Sequence, residues 1–502
     1  MNKLLEGNGN GNGAKGLLEQ PKKQAAQPST VASAVETRES WVMFQTRDGL
    51  KLHGTPARIT RHQAVFELYS PAAVPRLSEV LDPFQITLQG RTVYSGRAVV
   101  RNAVDAGTKI VCEATLDEAH WKDLNLAPAL HKDGQLDREF KSFLKDWQKF
   151  YKVSPEFKIV IADMQTFLQD LRLWLERVEL GIQTLPAGER KEFEQEAAKK
   201  VGVLFVPAFD ALHEKLEALS RKIDEDLRPA HRIFAQRQLH PLMLCSPFAQ
   251  RAYEKPLGYA GDYEMVNMIA LNPHQGQSLF AKVVNLWFLS QWPSQAHRNR
   301  LTYLKELLEG ETCRVSGRQR KARIFNFACG PAIEVQRFLA DFQFTERAEL
   351  TLADFNQETL DHAARAVRSI KERLSLETAV HFQKKSVYQI LKENQAGAGA
   401  KPEYDFIYCA GLFDYLPDVT CRQLMEIFYD WLAPGGLLAV TNVVDQKPFR
   451  HMLEFVLDWY LIYRDAGEGA SLIPASIPEE ARAVKIDPSG VNLFIEARKP
   501  RE

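Results

Sequence analysis

The chain reads as a multidomain protein with a small N-terminal β-barrel, a central α-helical region and a C-terminal α/β domain built on a doubly wound, mostly parallel sheet. Three observations predict this. Short alternating apolar runs crowd the stretch from Ser40 to Trp121, apolar residues recur at three-and-four spacing from Phe157 to Leu219, and from Ala322 onward apolar strands alternate with helical segments. Period two marks half-buried strands, period 3.6 marks amphipathic helices, and strand–helix alternation implies a parallel sheet with helices on its faces. The predicted domains are a tail over 1–38, a barrel over 39–122, a helical linker or bundle over 123–238, a helical cap over 239–304 and the α/β core over 305–502.

Residues Met1 to Val35, with Gly and Asn alternating from Gly7 to Gly13, lack apolar periodicity and read as a flexible tail without the apolar core of a signal peptide. The expected barrel strands are Trp41–Phe44, Ala64–Leu68, Gln85–Leu88, Thr92–Tyr94, Gly96–Val100 and Lys109–Glu113. In length, strand rhythm and position this region resembles a PilZ domain, the bacterial cyclic-di-GMP receptor barrel. Arg58-Ile59-Thr60-Arg61-His62-Gln63 stands where that family has Asp-x-Ser-x-x-Gly, and no Arg-x-x-x-Arg precedes the first strand. These departures make cyclic-di-GMP a doubtful ligand and imply a degenerate barrel that is non-binding or docks a partner.

Phe157, Val160, Ile161, Met164, Leu168, Leu171 and Leu175 predict one long amphipathic helix, and Phe193 through Leu219 a second from Glu189 to Leu227. Such a hairpin docks domains or pairs two copies in a homodimer.

The C-terminal domain opens on Ala322–Phe327, a buried strand, followed by the small-residue turn Ala328-Cys329-Gly330-Pro331-Ala332 and a helix from Ile333 to Phe342. Glycine lets backbone approach a ligand closely, and the helix N-terminus favours a negatively charged one. A second strand, Glu349–Ala353, closes on Asp354 near the roughly 20-residue spacing of a ribose-binding acid. The alternative role for Asp354 is to cap the helix Gln357–Arg373. Further strands are expected at Thr378–Phe382, Tyr404–Cys409, Leu437–Val443 (after the turn Ala433–Gly436) and Val491–Ala497.

These ordered motifs, from about Lys305 to the C-terminus, resemble the class I S-adenosylmethionine-dependent methyltransferases, which have a Rossmann-like fold. The resemblance implies that Ala328 and Gly330 approach the methionine part of S-adenosyl-L-methionine, Asp354 holds its ribose, Ser386 with Val387 contact adenine, and Ala410 and Gly411 through Tyr415 line the methyl-transfer pocket. Asn326 replaces a common acid, alanines replace the outer two glycines, and Ser386 replaces a frequent Asp. A dehydrogenase reading is disfavoured, because dinucleotide sites want glycines against the pyrophosphate. Together with Gly258-Tyr259-Ala260-Gly261-Asp262-Tyr263-Glu264 and Gly411–Leu416, the chain is similar from Leu239 to Lys499 to bacterial extracellular factor 3-hydroxypalmitic acid methyl ester biosynthesis proteins. That resemblance implies a hydroxy fatty acid as acceptor and a methyl ester quorum-sensing signal as product.

Tyr259 is placed to stack on or cover the cofactor, with Asp262 capping the next helix; the alternative is a plain glycine-rich turn. Arg298 and Arg300 offer guanidinium groups suited to carboxylates, at least one of them expected on a solvated face. The run Phe449–Tyr463 reads as a helix that packs a core or walls an acyl pocket, and Tyr415 and Arg450 are candidates for positioning the substrate. Methyl transfer to a carboxylate needs no strong base, and neither Ser-His-Asp nor metal-ligand spacing is evident.

The 64 basic and 64 acidic residues balance, so no basic excess attracts nucleic acid. Six cysteines without paired metal spacing fit a reduced cytoplasm, and no apolar run of roughly 18 residues predicts a transmembrane segment. The competing expectation is a signalling or scaffold protein whose methyltransferase fold is catalytically inactive.

Overall fold

Six antiparallel strands close the N-terminal barrel in the computed structural model, which describes residues 40–46, 50–69, 75–88, 90–105, 109–122, 135–271, 274–317, 320–395 and 403–501. The expected tail lies outside these residues. The strands β1 (Trp41–Gln45), β2 (Lys51–Ile59), β3 (Gln63–Leu68), β4 (Val80–Leu88), β5 (Arg91–Asp105) and β6 (Ile110–Leu116) close in the order β1-β2-β3-β6-β5-β4. Alternation turns Val42, Phe44, Phe66, Phe84 and Tyr94 inward, with the three phenylalanine rings 5.4 to 5.9 Å apart.

Two strand expectations are corrected. β2 carries no alternating apolar set, since Gly54 is its one fully buried position, and its sequence reads as a loop. Thr92–Tyr94 and Gly96–Val100 are one strand, because Gly96 is no break: its missing side chain gives room to the ring of His120. Arg58–Gln63 spans the end of β2, the turn Thr60–His62 and the start of β3, where Thr60 N donates to Gln63 O (2.8 Å) and Trp121 Nε1 to Arg61 O (2.8 Å).

Eight helices follow among the described residues: α1 (Gln135–Tyr151), α2 (Pro155–Gln183), α3 (Ala187–Ser220), α4 (Arg228–Met243), α5 (Pro247–Glu254), α6 (Tyr263–Leu271), α7 (Leu279–Ser290) and α8 (Trp292–Ser316). Ser154 caps α2 by accepting from Phe157 N at 3.3 Å. The second predicted helix ends at Ser220 rather than Leu227. Asp224 O accepts from the backbone of Leu227 and Arg228 in a separate turn, and Pro229 then opens α4. Phe167, Phe205 and Phe209 stack between α2 and α3, and the same apolar core continues through Trp287 and Phe288 to Phe449 and Phe455.

The C-terminal domain comprises β7 (Ala322–Phe327), α9 (Ile333–Asp341), β8 (Ala348–Asp354), α10 (Gln357–Leu374), β9 (Ala379–Lys384), α11 (Val387–Gln395), β10 (Tyr404–Cys409), α12 (Asp418–Asp430), β11 (Leu432–Val443), α13 (Ala466–Ser471), β12 (Arg482–Ile486) and β13 (Asn492–Arg498). The sheet order is β12-β13-β11-β10-β7-β8-β9. The strands from β9 to β11 run parallel, whereas β13 runs antiparallel to both β11 and β12. Strand order therefore reverses between β7 and β10, which opens a crevice at their C-terminal ends. This is the Rossmann-like sheet expected, plus one unforeseen edge strand, β12, whose Arg-Ala-Val-Lys-Ile sequence lacks a fully buried residue.

The predicted helix Phe449–Tyr463 is also corrected. The chain is helical only from Arg450 to Val456, its last turn a π-turn. Asp458 ends it in the left-handed region (φ +50°), held there by Arg232 Nη1 (2.9 Å) and Gln236 Nε2 (3.1 Å). Trp459 to Tyr463 then runs outside helical geometry.

A buried carboxylate ties this segment to the bundle. Glu217 of α3 accepts from His451 Nδ1 (2.8 Å), His451 N (3.2 Å) and Met452 N (2.8 Å), and His213 lies 3.5 Å away. Burial alone pushes the Glu217 carboxyl up, but hydrogen bonds and charge from His213 and His451 outweigh it and hold it at about 2. A depressed carboxylate contributes stability above its ordinary value near 4.5 and loses it as pH falls toward 2. Glu217→Gln is expected to lower unfolding free energy at pH 7 by about 3 kcal/mol, and the gap should narrow between pH 4.5 and 2. Urea unfolding followed by intrinsic tryptophan fluorescence, to which Trp287, 5.3 Å from His213, contributes, measures this; equal stability at pH 7 would refute it.

Candidate active site

A cavity of about 510 Å³ occupies the crevice at the switch point. One wall is made by the loops after β7, β8 and β10; the other comes from α6, α7, α8 and the segment Phe449–Leu461. Its size suits a small-molecule site.

The loop after β7 is shaped by three successive left-handed residues at alternate positions: Ala328 (φ +57°), Gly330 (φ +54°) and Ala332 (φ +52°). Alanine accepts this conformation at a cost of about 1 kcal/mol, so the two alanines keep the turn a glycine loop would make. A Cβ on Gly330 would meet nothing within 4 Å, because that position faces the open cavity. Asp354, the last residue of β8, accepts from Gly330 N through Oδ2 (3.2 Å) and from Asn356 N through Oδ1 (3.0 Å). Burial raises its pKa against the pull of these amides. Helix α10 is capped by Asn356, not Asp354: Asn356 Oδ1 accepts from Thr359 N at 3.1 Å.

Asn326 and Glu334 settle beneath the loop. Asn326 Nδ2 and Tyr408 Oη both donate to Glu334 Oε1, at 3.0 and 2.8 Å. The amide that stands in place of an acid thus lets a second carboxylate be buried beside it without like-charge repulsion.

Facing the sheet, the glycine-rich loop before α6 is anchored by Asp262. Its carboxylate takes Arg251 Nε and Nη2 at 2.8 Å each and caps α6 through Glu264 N (3.1 Å) and Met265 N (3.2 Å). Tyr259 enters the cavity lining with its ring 5.4 Å from Phe355, and burial pushes its hydroxyl up to about 12. Tyr415 donates to Ala260 O (3.2 Å) and accepts from Trp459 Nε1 (2.9 Å). Gly261 permits this closure, since a Cβ would lie 2.9 Å from Trp459 Cζ2. Tyr415 accordingly joins the loop before α6 to the segment that carries Trp459, and burial raises its pKa far from any base role.

Tyr259, Ala328, Gly330, Asp354, Ala410, Gly411 and Tyr415 all line the one cavity. Ser386, Val387 and Arg450 do not. Ser386 Oγ accepts from Gln389 N (3.3 Å) at the start of α11. Arg450 is committed to Glu454 (2.7 Å) and Asp445 (3.3 Å), with Tyr463 under its guanidinium at 5.0 Å; this replaces the expectation that it positions a substrate.

The lining also brings in His297 and Asn492, which sequence reading did not choose, beside Arg300 and Asp414. Arg300 was one of two candidate guanidiniums; Arg298 is the half-buried one, donating to Leu289 O (3.0 Å). Asp414 Oδ1 accepts from Val443 N (2.8 Å); burial raises its pKa to about 6, opposed by Arg300, the Val443 amide and Arg464. His297 is held well below the usual imidazole range by burial and then by Arg300 and Arg298, so it is neutral at pH 7. The buried Asn492 Oδ1 has no hydrogen-bond partner among the described residues. Among the described residues no cluster of His, Cys, Asp and Glu is arranged to hold a metal ion, and no helix is long and apolar enough to cross a membrane.

No protein-family model and no curated protein matches this chain. Among solved structures it is similar to a Bordetella parapertussis protein described as a possible exported protein, at 14% identity over 69% of this chain and 99% of that one, with a TM-score of 0.38. It is also similar to magnesium protoporphyrin IX methyltransferase from Synechocystis PCC 6803 with bound SAH (11% identity, 41% and 84% of the two chains, TM-score 0.30). A third is the N-methyltransferase NodS from Bradyrhizobium japonicum WM9 in complex with S-adenosylhomocysteine (14%, 48% and 98%, TM-score 0.29). Likenesses this distant carry no weight for function, which is read instead from the cavity.

Two outcomes test the site's construction. Gly330→Ala is expected to cost about 1 kcal/mol in stability through its left-handed φ and to place a methyl group in the cavity; calorimetry should show ligand affinity reduced at least about tenfold, and unaltered affinity would mean that nothing approaches this backbone. Because the Asp414 carboxyl is raised from 3.8 to about 6, its contribution is complete below pH 3.8 and lost as pH rises to 6. The stability of Asp414→Asn relative to the wild type should therefore improve by up to about 3 kcal/mol across that window; a pH-independent difference in chemical denaturation would contradict it.

Proposed function

We propose that the protein is an S-adenosylmethionine-dependent methyltransferase that esterifies the carboxylate of an apolar hydroxy acid of the fatty acid class. The observation that carries this reading is one cavity with a cradle of nucleoside-binding type on one wall and an apolar surface on the other. On the cradle side, Gly330 leaves open space where a Cβ would stand and Asp354 ends β8 with a buried carboxylate. These residues fit the cofactor: Ala328 and Gly330 would approach its methionine part, Asp354 its ribose, and Tyr259 with Phe355 would cover its ring system. On the other side Met265, Ile269, Phe288, Phe449, Leu453 and Leu461 offer hydrocarbon to an acyl chain.

When bound, the cofactor supplies an electrophilic methyl group on a sulfonium sulfur. What the chain contributes is alignment and exclusion of water, which can supply several kcal/mol of a displacement barrier. A carboxylate acceptor is deprotonated at neutral pH, so no residue here has to remove a proton. This suits a cavity whose tyrosines and cysteine are pushed upward by burial. Tyr415, joined to Ala260 and Trp459, would hold these two segments closed over the reacting atoms.

Calorimetric titration of S-adenosylmethionine into wild type and Asp354→Ala, both checked for folding, should show binding in the first and at least about tenfold weaker binding in the second. Labelled methyl transfer to 3-hydroxyhexadecanoate is then expected, and should fall in Tyr415→Phe. A folded wild type that binds no cofactor would instead leave the barrel and helices as the working parts of a scaffold.

A further inference from the structure

Among the described residues Arg300 is the one Lys or Arg side chain in the cavity lining, and it is 9% exposed. Its Nη2 lies 3.0 Å from His297 Nδ1, an uncharged partner. Among the described residues no carboxylate stands within ion-pairing distance of it; Asp414 and Glu334 act on it only through space. Both are already engaged, Asp414 with Val443 N and Glu334 with Asn326 and Tyr408. The guanidinium rests against Gly411, where a Cβ would come within 3.1 Å of Nη1.

A guanidinium stays charged even when burial works against it, and a buried charge without a partner is strongly unfavourable. The cavity thus holds a buried cation that, among the described residues, has acidic neighbours but no direct ion-pair partner, a place that the anionic group of a ligand can take. The planar fork suits a carboxylate bidentately. Two acidic neighbours make a doubly charged phosphate the worse match, because like charges would be crowded in low dielectric.

We propose that Arg300 is the carboxylate anchor of the cavity, pairing with the acid group of its ligand. Resting on the methyltransferase reading, this carboxylate has two sources of the same chemistry: the amino-acid end of the cofactor or the acid group of the acceptor. The His297 ring lies against the guanidinium, with Nδ1 3.0 Å and Nε2 3.1 Å from Nη2.

The test uses the full chain as wild type, Arg300→Met and Arg300→Gln, with thermal melts to check folding; the glutamine variant keeps a polar group without the charge and serves if the methionine variant does not fold. Calorimetry measures S-adenosylhomocysteine, 5′-methylthioadenosine (the same nucleoside without the amino-acid end), 3-hydroxyhexadecanoate and its methyl ester. The expected result is a loss of roughly 10- to 100-fold for a carboxylate ligand, with the matching ligand that lacks the carboxylate unchanged. A loss confined to S-adenosylhomocysteine assigns the anchor to the cofactor, and one confined to 3-hydroxyhexadecanoate assigns it to the acceptor. Folded variants that bind all four ligands as the wild type does would overturn the proposal. Wild type that binds neither nucleoside overturns the methyltransferase reading separately, and the hydroxy acid against its ester still decides Arg300; binding of none of the four overturns both.

Discussion

The Asp354 carboxylate is the constraint on which the site is built. One oxygen accepts from Gly330 N and the other from Asn356 N, so a single buried group fixes the loop after β7 to the loop after β8. Parallel pairing of β7 with β8 brings the two loops level, with Phe327 opposite Ala353. The strained alanines at 328 and 332 persist because this tie and the buried helix α9 over-determine them. Removing the carboxylate would free the cradle before it removed any direct ligand contact.

The opposite wall depends on a second buried carboxylate far away in sequence. Glu217, on a helix of the central bundle, holds the backbone of His451 and Met452, and this turn carries Phe449 and Leu453 into the cavity. The bundle is therefore part of the site's architecture. Its apolar core runs without interruption from Phe157 to Phe455, and Tyr415, Trp459 and Gly261 close the seam where cap and sheet meet. A carboxylate pairing with two imidazoles in that core gives the wall a defined register rather than a slippery apolar contact.

Strands β7, β8 and β10 were legible because each is a short apolar run with a turn or acid at its end, and Asp354 stood out by spacing. β2 and β12 were not, since polar residues in a strand show no period when neither face is deeply buried. The run Phe449–Tyr463 looked helical because it is apolar throughout, yet a left-handed Asp458, fixed by Arg232 and Gln236 from α4, cuts it short. Arg450 and Arg300 show the same limit: both are arginines on helical segments, and only packing turns one toward local acids and the other into the cavity.

By itself the sequence determined the order of the three regions, the small-residue turn after β7 and the acid after β8, because these depend on local periodicity and on residue types that few backbone conformations tolerate. The tertiary structure alone decided that Arg300 is a buried cation without a carboxylate at ion-pairing distance among the described residues, that Asp414 sits beside it with a raised pKa, and that Glu217 fastens a distant bundle to the turn at His451 and Met452. Burial and pairing are properties of what lies across the cavity, contributed by segments a hundred or more residues apart, and no local pattern encodes them.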